Sequence, residues 1–400
     1  MPLSLYSLAM AVFAMGTSEF MLAGLLPDIA ADLGVTVGTA GTLTSAFAIG
    51  MIAGAPLMAG LARNRPPRSG LLVFLLVFVA AHVAGAATSS FPVLFATRIV
   101  AALANAGFLA VAVTTAAALV PANRKGRALA VLLSGTTVAT VAGVPGGAVL
   151  GTLLGWRVTF WAVAVLCVPA AAGVLHGIPA RSPGEPGGRV LRSELAQLRS
   201  RRLILVMLLG ALVNAATFAS FTFLAPVVTG TAGLDPLWIP VVLVLFGAGS
   251  FTGVTVAGRL SDRHSGLVLA AGGPLLLIGW PALAVLAGEP VVLLILVFVQ
   301  GALSFAVGST LITRVLYEAA GAPTMAGSYA TAALNVGAAA GPLIAAATLG
   351  TAASGEGTGD LGPLWVSGLL VAIALLVALP SAVFRHGPLE CGEEQRADPD

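Results

Sequence analysis

Twelve apolar runs of membrane-spanning length leave this chain few folds to adopt. They lie at about 3–26, 39–62, 70–87, 92–119, 128–152, 158–178, 203–228, 238–260, 267–287, 290–316, 326–350 and 363–384. At about 1.5 Å rise per residue, a helix of about 20 residues covers the roughly 30 Å hydrocarbon core of a bilayer. Lipid offers a backbone no hydrogen-bond partners, so runs of this length must be helices that satisfy their own N–H and C=O groups. The fold expected is all-α and integral to the membrane, with twelve transmembrane helices in two six-helix halves. Charged residues make up 9% of the chain and its mean hydropathy is +1.02. Soluble domains carry about 25% charged residues, so the soluble class is excluded.

The polar separators alternate in sign. After even-numbered runs come Arg63, Arg65 and Arg68, then Arg124, Lys125 and Arg127, the stretch Arg181 to Arg202, Arg259 with Arg263, and Arg385 with Arg396. After odd-numbered runs come Asp28, Asp32, Asp235, Glu289, Glu356 and Asp360, with Arg157 the single basic residue. Lys and Arg accumulate in short cytoplasmic loops, which places both termini in the cytoplasm of a protein expected in the inner membrane. The net charge of +3 is spread over these loops rather than one face, so no nucleic-acid partner is expected. The first 18 residues carry no basic side chain and an acidic one follows, so the first run is expected to stay as a span rather than be cleaved. Cys167 and Cys391 are too few and too differently placed for a disulfide framework or metal site, and no cofactor is expected.

The longest polar interruption divides six runs from six. The expected organisation is an N-terminal bundle over 1–178, a cytoplasmic linker over 179–202, a C-terminal bundle over 203–384 and a polar tail over 385–400. The linker opens on Pro183, Gly184 and Pro186 and ends in a short amphipathic piece around Leu191, Leu195 and Leu198. An internal repeat supports the division. Gly60-Leu61-Ala62-Arg63-Asn64-Arg65 follows the second run and Gly258-Arg259-Leu260-Ser261-Asp262-Arg263 the eighth, and 258 minus 60 is 198. Gly143-Val144-Pro145 and Gly341-Pro342 share that offset, since 341 minus 143 is also 198. Transporters built from such repeats bind substrate between the halves.

Among 16 acidic residues, Glu19 is the one placed well inside a run, and by the charge bias it sits in the outer half of the membrane. A carboxylate there faces the protein interior, finds a partner or holds a proton, and is functional by default. Burial disfavours the anion, so proton uptake and release can follow exposure to one side and then the other. Gly16 and Ala23, one turn away, suit a face packed on other helices. Arg98, about two turns into the fourth run, lies at similar depth and can share a cavity with Glu19; the alternative is an arginine snorkelling to the headgroups. Asp28, just after Pro27, completes the candidate proton-coupling set from an interfacial position. His82 in the third run reads as hydrogen-bonded structure. Apolar cavity walls with a few polar groups suggest Phe20, Phe47, Asn105, Phe108, Asn214, Phe218, Phe221 and Asn335 as substrate-facing candidates.

Several stretches carry a family resemblance. Gly258-Arg259-Leu260-Ser261-Asp262-Arg263 matches in full the loop signature G-x-L-[AS]-D-[RK] of the major facilitator superfamily, while Asn64 replaces the acidic residue in the first copy. Thr97-Arg98-Ile99-Val100-Ala101-Ala102 resembles the fourth-helix motif R-x-x-Q-G, with Ala101 and Ala102 departing from it. Gly143-Val144-Pro145-Gly146-Gly147 is similar to the fifth-helix motif of exporters. Gly16-Thr17-Ser18-Glu19-Phe20, the segment from Gly24 to Gly34, and Gly155-Trp156-Arg157 resemble the twelve-helix drug:proton antiporters. The runs from Ser45 to Met58 and from Ala104 to Ala112 are similar to chloramphenicol exporters of high-GC bacteria.

The resemblance implies proton-driven efflux of a small amphiphilic drug by a monomer in contact with membrane lipids. It also implies that Gly258, Asp262 and Arg263 brace an inward gate, and that Gly143, Pro145, Gly146 and Gly147 form a helix-packing motif. The same superfamily also holds sugar and broad multidrug exporters. A membrane-embedded enzyme would show convergent catalytic side chains and a channel repeated polar faces; neither is seen, and no P-loop supports ATP drive.

Overall fold

The computed structural model of the protein describes residues 2–62, 66–121, 124–178, 196–321, 325–349 and 359–379. Among them, every regular element is helical. The helices are α1 (Leu3–Phe20), α2 (Leu26–Leu33), α3 (Val37–Ala62), α4 (Pro67–Ala87), α5 (Phe91–Ala118), α6 (Lys125–Val138), α7 (Val144–Leu154), α8 (Trp156–Gly177), α9 (Arg201–Thr222), α10 (Trp238–Leu286), α11 (Pro290–Glu318), α12 (Ala326–Leu349) and α13 (Gly362–Ala378). Eleven segments among the described residues are long and apolar enough to cross a membrane, from Leu3–Gly24 to Ala326–Leu349. Gly362–Ala378 supplies the shorter twelfth with 17 residues, about 26 Å of helix. Residues 179–195 of the expected linker over 179–202 and the tail over 385–400 lie outside the described residues, as do Arg63, Asn64 and Arg65; the linker's last residues form a short turn, Ala196–Arg199, and the start of α9.

Two departures from the expected spans are informative. The fifth span is α6 and α7 joined by one π turn, Ala139–Gly143. Pro145 has no N–H to give and its ring crowds the carbonyl four residues back, so a widened turn just before it keeps the helix continuous. The eighth and ninth spans form one unbroken helical run in α10, yet the chain reverses within it. Gly253 packs against Ala302 and Gly249 against Phe298, whereas Gly272 packs against Val307 and Gly279 against Gln300. The first pair of contacts runs parallel to α11 and the second antiparallel.

Small residues let α1 sit deep among its neighbours. A Cβ on Gly135 would collide with the backbone of Ala9, and one on Gly143 with Thr17, so both positions admit only glycine at this spacing. Gly173 and Gly177 of α8 close on Ser7 and Ser4 from the other side. The same packing recurs at the repeat offset: Gly341 of α12 closes on Ala215 of α9 as Gly143 closes on Thr17. Here 341 minus 143 and 215 minus 17 are both 198.

The first six spans meet the last six at the end of the bundle away from the N-terminus and at mid-depth. Gly38 at the start of α3 faces the carbonyl oxygen of Ala346, 3.0 Å from where a Cβ would stand, and Gly41 abuts the Phe223 ring. Gly24 faces Leu243 in the same way, and nearer the middle Gly247 faces the carbonyl of Thr140. Among the described residues, these are the close glycine contacts between the two sets of spans.

Candidate functional site

Four spans converge on Ser18. Its side chain is fully buried on α1, and Arg98 of α5 grips it twice: Nη1 donates to Ser18 Oγ at 2.8 Å, and Nη2 donates to the Ser18 carbonyl at 2.8 Å. His82 of α4 completes the set, with Nε2 2.7 Å from Ser18 Oγ and Nδ1 2.8 Å from the carbonyl of Phe78. A carbonyl only accepts, so Nδ1 carries the imidazole proton and Nε2 accepts from the Ser18 hydroxyl. The hydroxyl thus donates to His82 and accepts from Arg98. Arg98 also lies over the Phe47 ring of α3, 4.5 Å from its centroid, and His82 stacks on Phe78 at 4.2 Å between centroids. Arg98 is 1% exposed, which rules out snorkelling: the guanidinium ends inside the bundle on Ser18. Its Nε has no partner among the described residues.

Glu19 follows Ser18 directly and is half-buried. The Arg98 charge acts on it, but its carboxylate makes no hydrogen bond or ion pair among the described residues. The two charges act on each other without a salt bridge, and neither residue lines the cavities seen among the described residues. Packing explains why α1 can place them so closely: glycines of α6, the π turn and α8 fix its depth, and the side chains around Ser18 come from three other spans.

Phe20, next in sequence, opens onto the other side of α1. Its ring lies 5.8 Å from Phe218 and 6.4 Å from Phe221, both on α9. Phe221 stacks on Phe246 of α10 at 4.8 Å, and Phe246 meets Phe305 of α11 edge-on at 6.2 Å. Together with Thr140, Val144, Thr217, Leu243, Gly247 and Ser250 these rings line a cavity between the first and last six spans. It is narrow, about 20 Å³. Pockets for ligands of drug size run to about 300–1,000 Å³, so a molecule of that size fits only if the rings and helices part.

Of the expected substrate-facing residues, Phe20, Phe218 and Phe221 come together at this cavity. The others do not line it. Phe47 is occupied by Arg98, and Phe108 is fully buried in the apolar core. Asn105 points its amide at the Met51 sulfur at 3.6 Å. Asn214 donates to the Leu334 carbonyl at 2.6 Å and Asn335 to the Thr331 carbonyl at 2.9 Å, so these amides are bound to backbone. Phe246 and Phe305 escape a sequence reading because an isolated aromatic in an apolar run has no signature. Ser18 is hidden by being a serine next to a carboxylate, and its only hint is that polar residues in three runs share one depth.

The remaining candidates fall elsewhere. Asp28 lies exposed in the first turn of α2, and desolvation by its surroundings pushes its carboxyl above the usual range; it shares no contact with Arg98 among the described residues. Gly143 and Gly147 are closely packed, a Cβ on Gly147 standing 3.1 Å from Thr159 Cγ2, and Pro145 lies in the first turn of α7. Gly146 instead is exposed, with nothing within reach of a Cβ there. Gly258 is exposed with nothing packed on it, and the side chains of Asp262 and Arg263 lie outside the described residues.

The family model described as Major Facilitator Superfamily matches residues 8–342. A chloramphenicol resistance protein of Streptomyces lividans is 77% identical over 382 residues, 95% of this chain and 96% of the relative. The inner membrane transport protein YdhP of Escherichia coli K12 is 32% identical over 379 residues, 94% of this chain and 95% of the relative. Among solved structures, a bacterial homologue of the human lysosomal transporter Spinster, in an inward-facing and occupied conformation, superposes with a TM-score of 0.74 at 15% identity, covering 94% of each chain.

Proposed function

We propose that this chain, which belongs to the Major Facilitator Superfamily, exports chloramphenicol or a close relative in exchange for protons. It is a multi-pass membrane transporter rather than an enzyme. The substrate reading rests on the 77% identity to the chloramphenicol resistance protein over nearly the whole length. The coupling reading rests on one observation: Glu19 and Phe20 are neighbours on α1, the first beside the Arg98 charge and the second in the wall of the aromatic cavity. A proton on Glu19 and a drug against Phe20 therefore act on the same turn of one helix, and each can bias where that helix rests. Alternating access follows if the bundles over 1–178 and 203–384 rock about the cavity, closing first one end and then the other. The protein sits in the inner membrane with both termini cytoplasmic, and it works as a monomer.

Everted vesicles with a pH-gradient readout test both parts. Chloramphenicol is expected to dissipate the gradient in vesicles carrying the wild-type protein. Glu19→Gln is expected to abolish that signal while reaching the membrane at normal levels. Coupling retained in Glu19→Gln would remove the carboxylate from the mechanism. If phenicols neither accumulate nor dissipate the gradient, the substrate assignment fails.

A further inference from the structure

We infer that Ser18 and His82 form a latch that holds Arg98 off Glu19, and that this latch sets the pH at which the transporter exchanges protons for drug. The inference rests on the proton-exchange reading of Glu19 above. Its geometry is independent of that reading. Arg98 spends two of its N–H groups on one residue, the Ser18 hydroxyl and carbonyl, at 2.8 Å each. The hydroxyl can accept from Arg98 in a fixed direction because its own proton is directed to His82 Nε2 at 2.7 Å. His82 can accept there because Phe78 takes the proton of Nδ1. All three donors point one way along the chain Arg98, Ser18, His82, Phe78. A second proton on His82 would turn Nε2 into a donor aimed at an oxygen that already receives Arg98, placing two cations on one hydroxyl. The chain therefore keeps His82 neutral, an acceptor rather than a carrier.

Glu19 meets few charges. The helices packed on α1 are α3, α5, α6, α7, α8 and the π turn, with α4 reaching it through His82 and α9 through Phe218 and Phe221. Of these, α3 and α7 carry no titratable residue, α6 only Lys125 and Arg127 at its start, and α9 only Arg201 and Arg202 at its start. The eighth helix carries Cys167 within it and Arg157 and His176 at its two ends. Arg98 and His82 are thus the ionisable side chains at Glu19's level, and the latch engages both. An opposite charge in contact favours a carboxylate's anion, typically by about one pH unit or more. By keeping that contact unmade, the latch leaves Glu19 able to take a proton; releasing Arg98 onto Glu19 would expel it.

The test is chloramphenicol-driven proton movement by the full-length protein in liposomes, measured across a pH series. Ser18→Ala leaves Nη1 without its acceptor and frees it toward Glu19, so the pH midpoint is expected to move about one unit toward acid. His82→Phe removes the acceptor that orients the hydroxyl and is expected to move the midpoint the same way by less. His82→Gln offers an amide oxygen in its place and is expected to keep the wild-type midpoint. A loss of rate or of thermal stability in Ser18→Ala and His82→Phe, with the midpoint unmoved, overturns the latch and leaves these residues structural. A His82→Gln protein that behaves like His82→Phe also overturns it. Should Ser18→Ala not reach the membrane, the two His82 variants carry the same comparison. Wild type and Glu19→Gln are run alongside: if drug flux in wild type leaves the gradient untouched, or Glu19→Gln stays coupled, the proton-exchange reading falls and the latch with it.

Discussion

Arg157 breaks the alternation of charge along the chain, and Asp32 accounts for it. The two form an ion pair between α2 and the start of α8; Arg157 also donates to the Thr88 carbonyl at 3.0 Å, and Trp156 Nε1 donates to Asp32 at 3.2 Å. One exposed arginine thus ties three helix ends together, which gives it a reason to stand where basic residues are otherwise missing. The side chains are 35% and 42% exposed, so solvent screens most of the attraction. Arg157→Ala is expected to cost about 1 kcal/mol or less, read as a small fall in the unfolding temperature in detergent that shrinks further with salt. Asp360 behaves oppositely. Burial raises its carboxyl above the usual 3.8, so the folded state holds the proton more tightly than the unfolded chain. Its contribution is most favourable below 3.8 and is lost as pH rises through the shifted value. Asp360→Asn is expected to raise the unfolding temperature at neutral pH, with the gain fading as the pH is lowered. At this scale sequence reading reaches Glu19 and Arg98, because a charge in an apolar run is conspicuous. It does not reach Ser18 or the role of His82, because hydrogen-bond direction depends on which atoms three helices bring within 3 Å.

Elements carry the next level of specificity. The π turn and the glycines around it are half legible: Gly143 and Pro145 announce a tight or bent fifth span, but not which face of it α1 occupies. That face separates two variants. Gly143→Val puts a side chain into Thr17 and is expected to displace α1, with loss of transport and a lower unfolding temperature. Gly146→Ala meets open space and is expected to leave both unchanged. The aromatic cavity is also an affair of elements, since its five rings come from α1, α9, α10 and α11. Stacking against one aromatic ring is worth about 1 kcal/mol, so Phe246→Ala is expected to raise the KM for drug about fivefold. Uptake into vesicles over a range of drug concentrations measures it. An unchanged KM would place the drug elsewhere.

On the scale of the molecule, the close glycine contacts between the first and last six spans lie, among the described residues, at the far end and the middle. Gly41 at the far end allows it by leaving room for Phe223. Gly41→Leu is expected to prop that end apart, and a cysteine at Ala346, beside Gly38, should then react faster with a thiol reagent than in the parent protein. The twelve spans themselves are readable in the sequence, since length and hydropathy are local properties. The folding back of α10 is readable too, as two runs with a basic break. Which helices touch across the interface is not, because it depends on small residues meeting at matched heights. The repeat is faithful in packing but not in charge: at the 198-residue offset, Glu19, His82 and Arg98 correspond to Thr217, Trp280 and Leu296. Four of the five cavity rings, by contrast, lie in the second repeat. Under the proposed reading, proton exchange therefore draws on the first repeat and drug contact mainly on the second. Single changes at Phe218, Phe221, Phe246 or Phe305 are then expected to shift which antibiotics a strain resists while the drug-driven pH signal survives, since none of them touches Glu19, Ser18 or Arg98 among the described contacts.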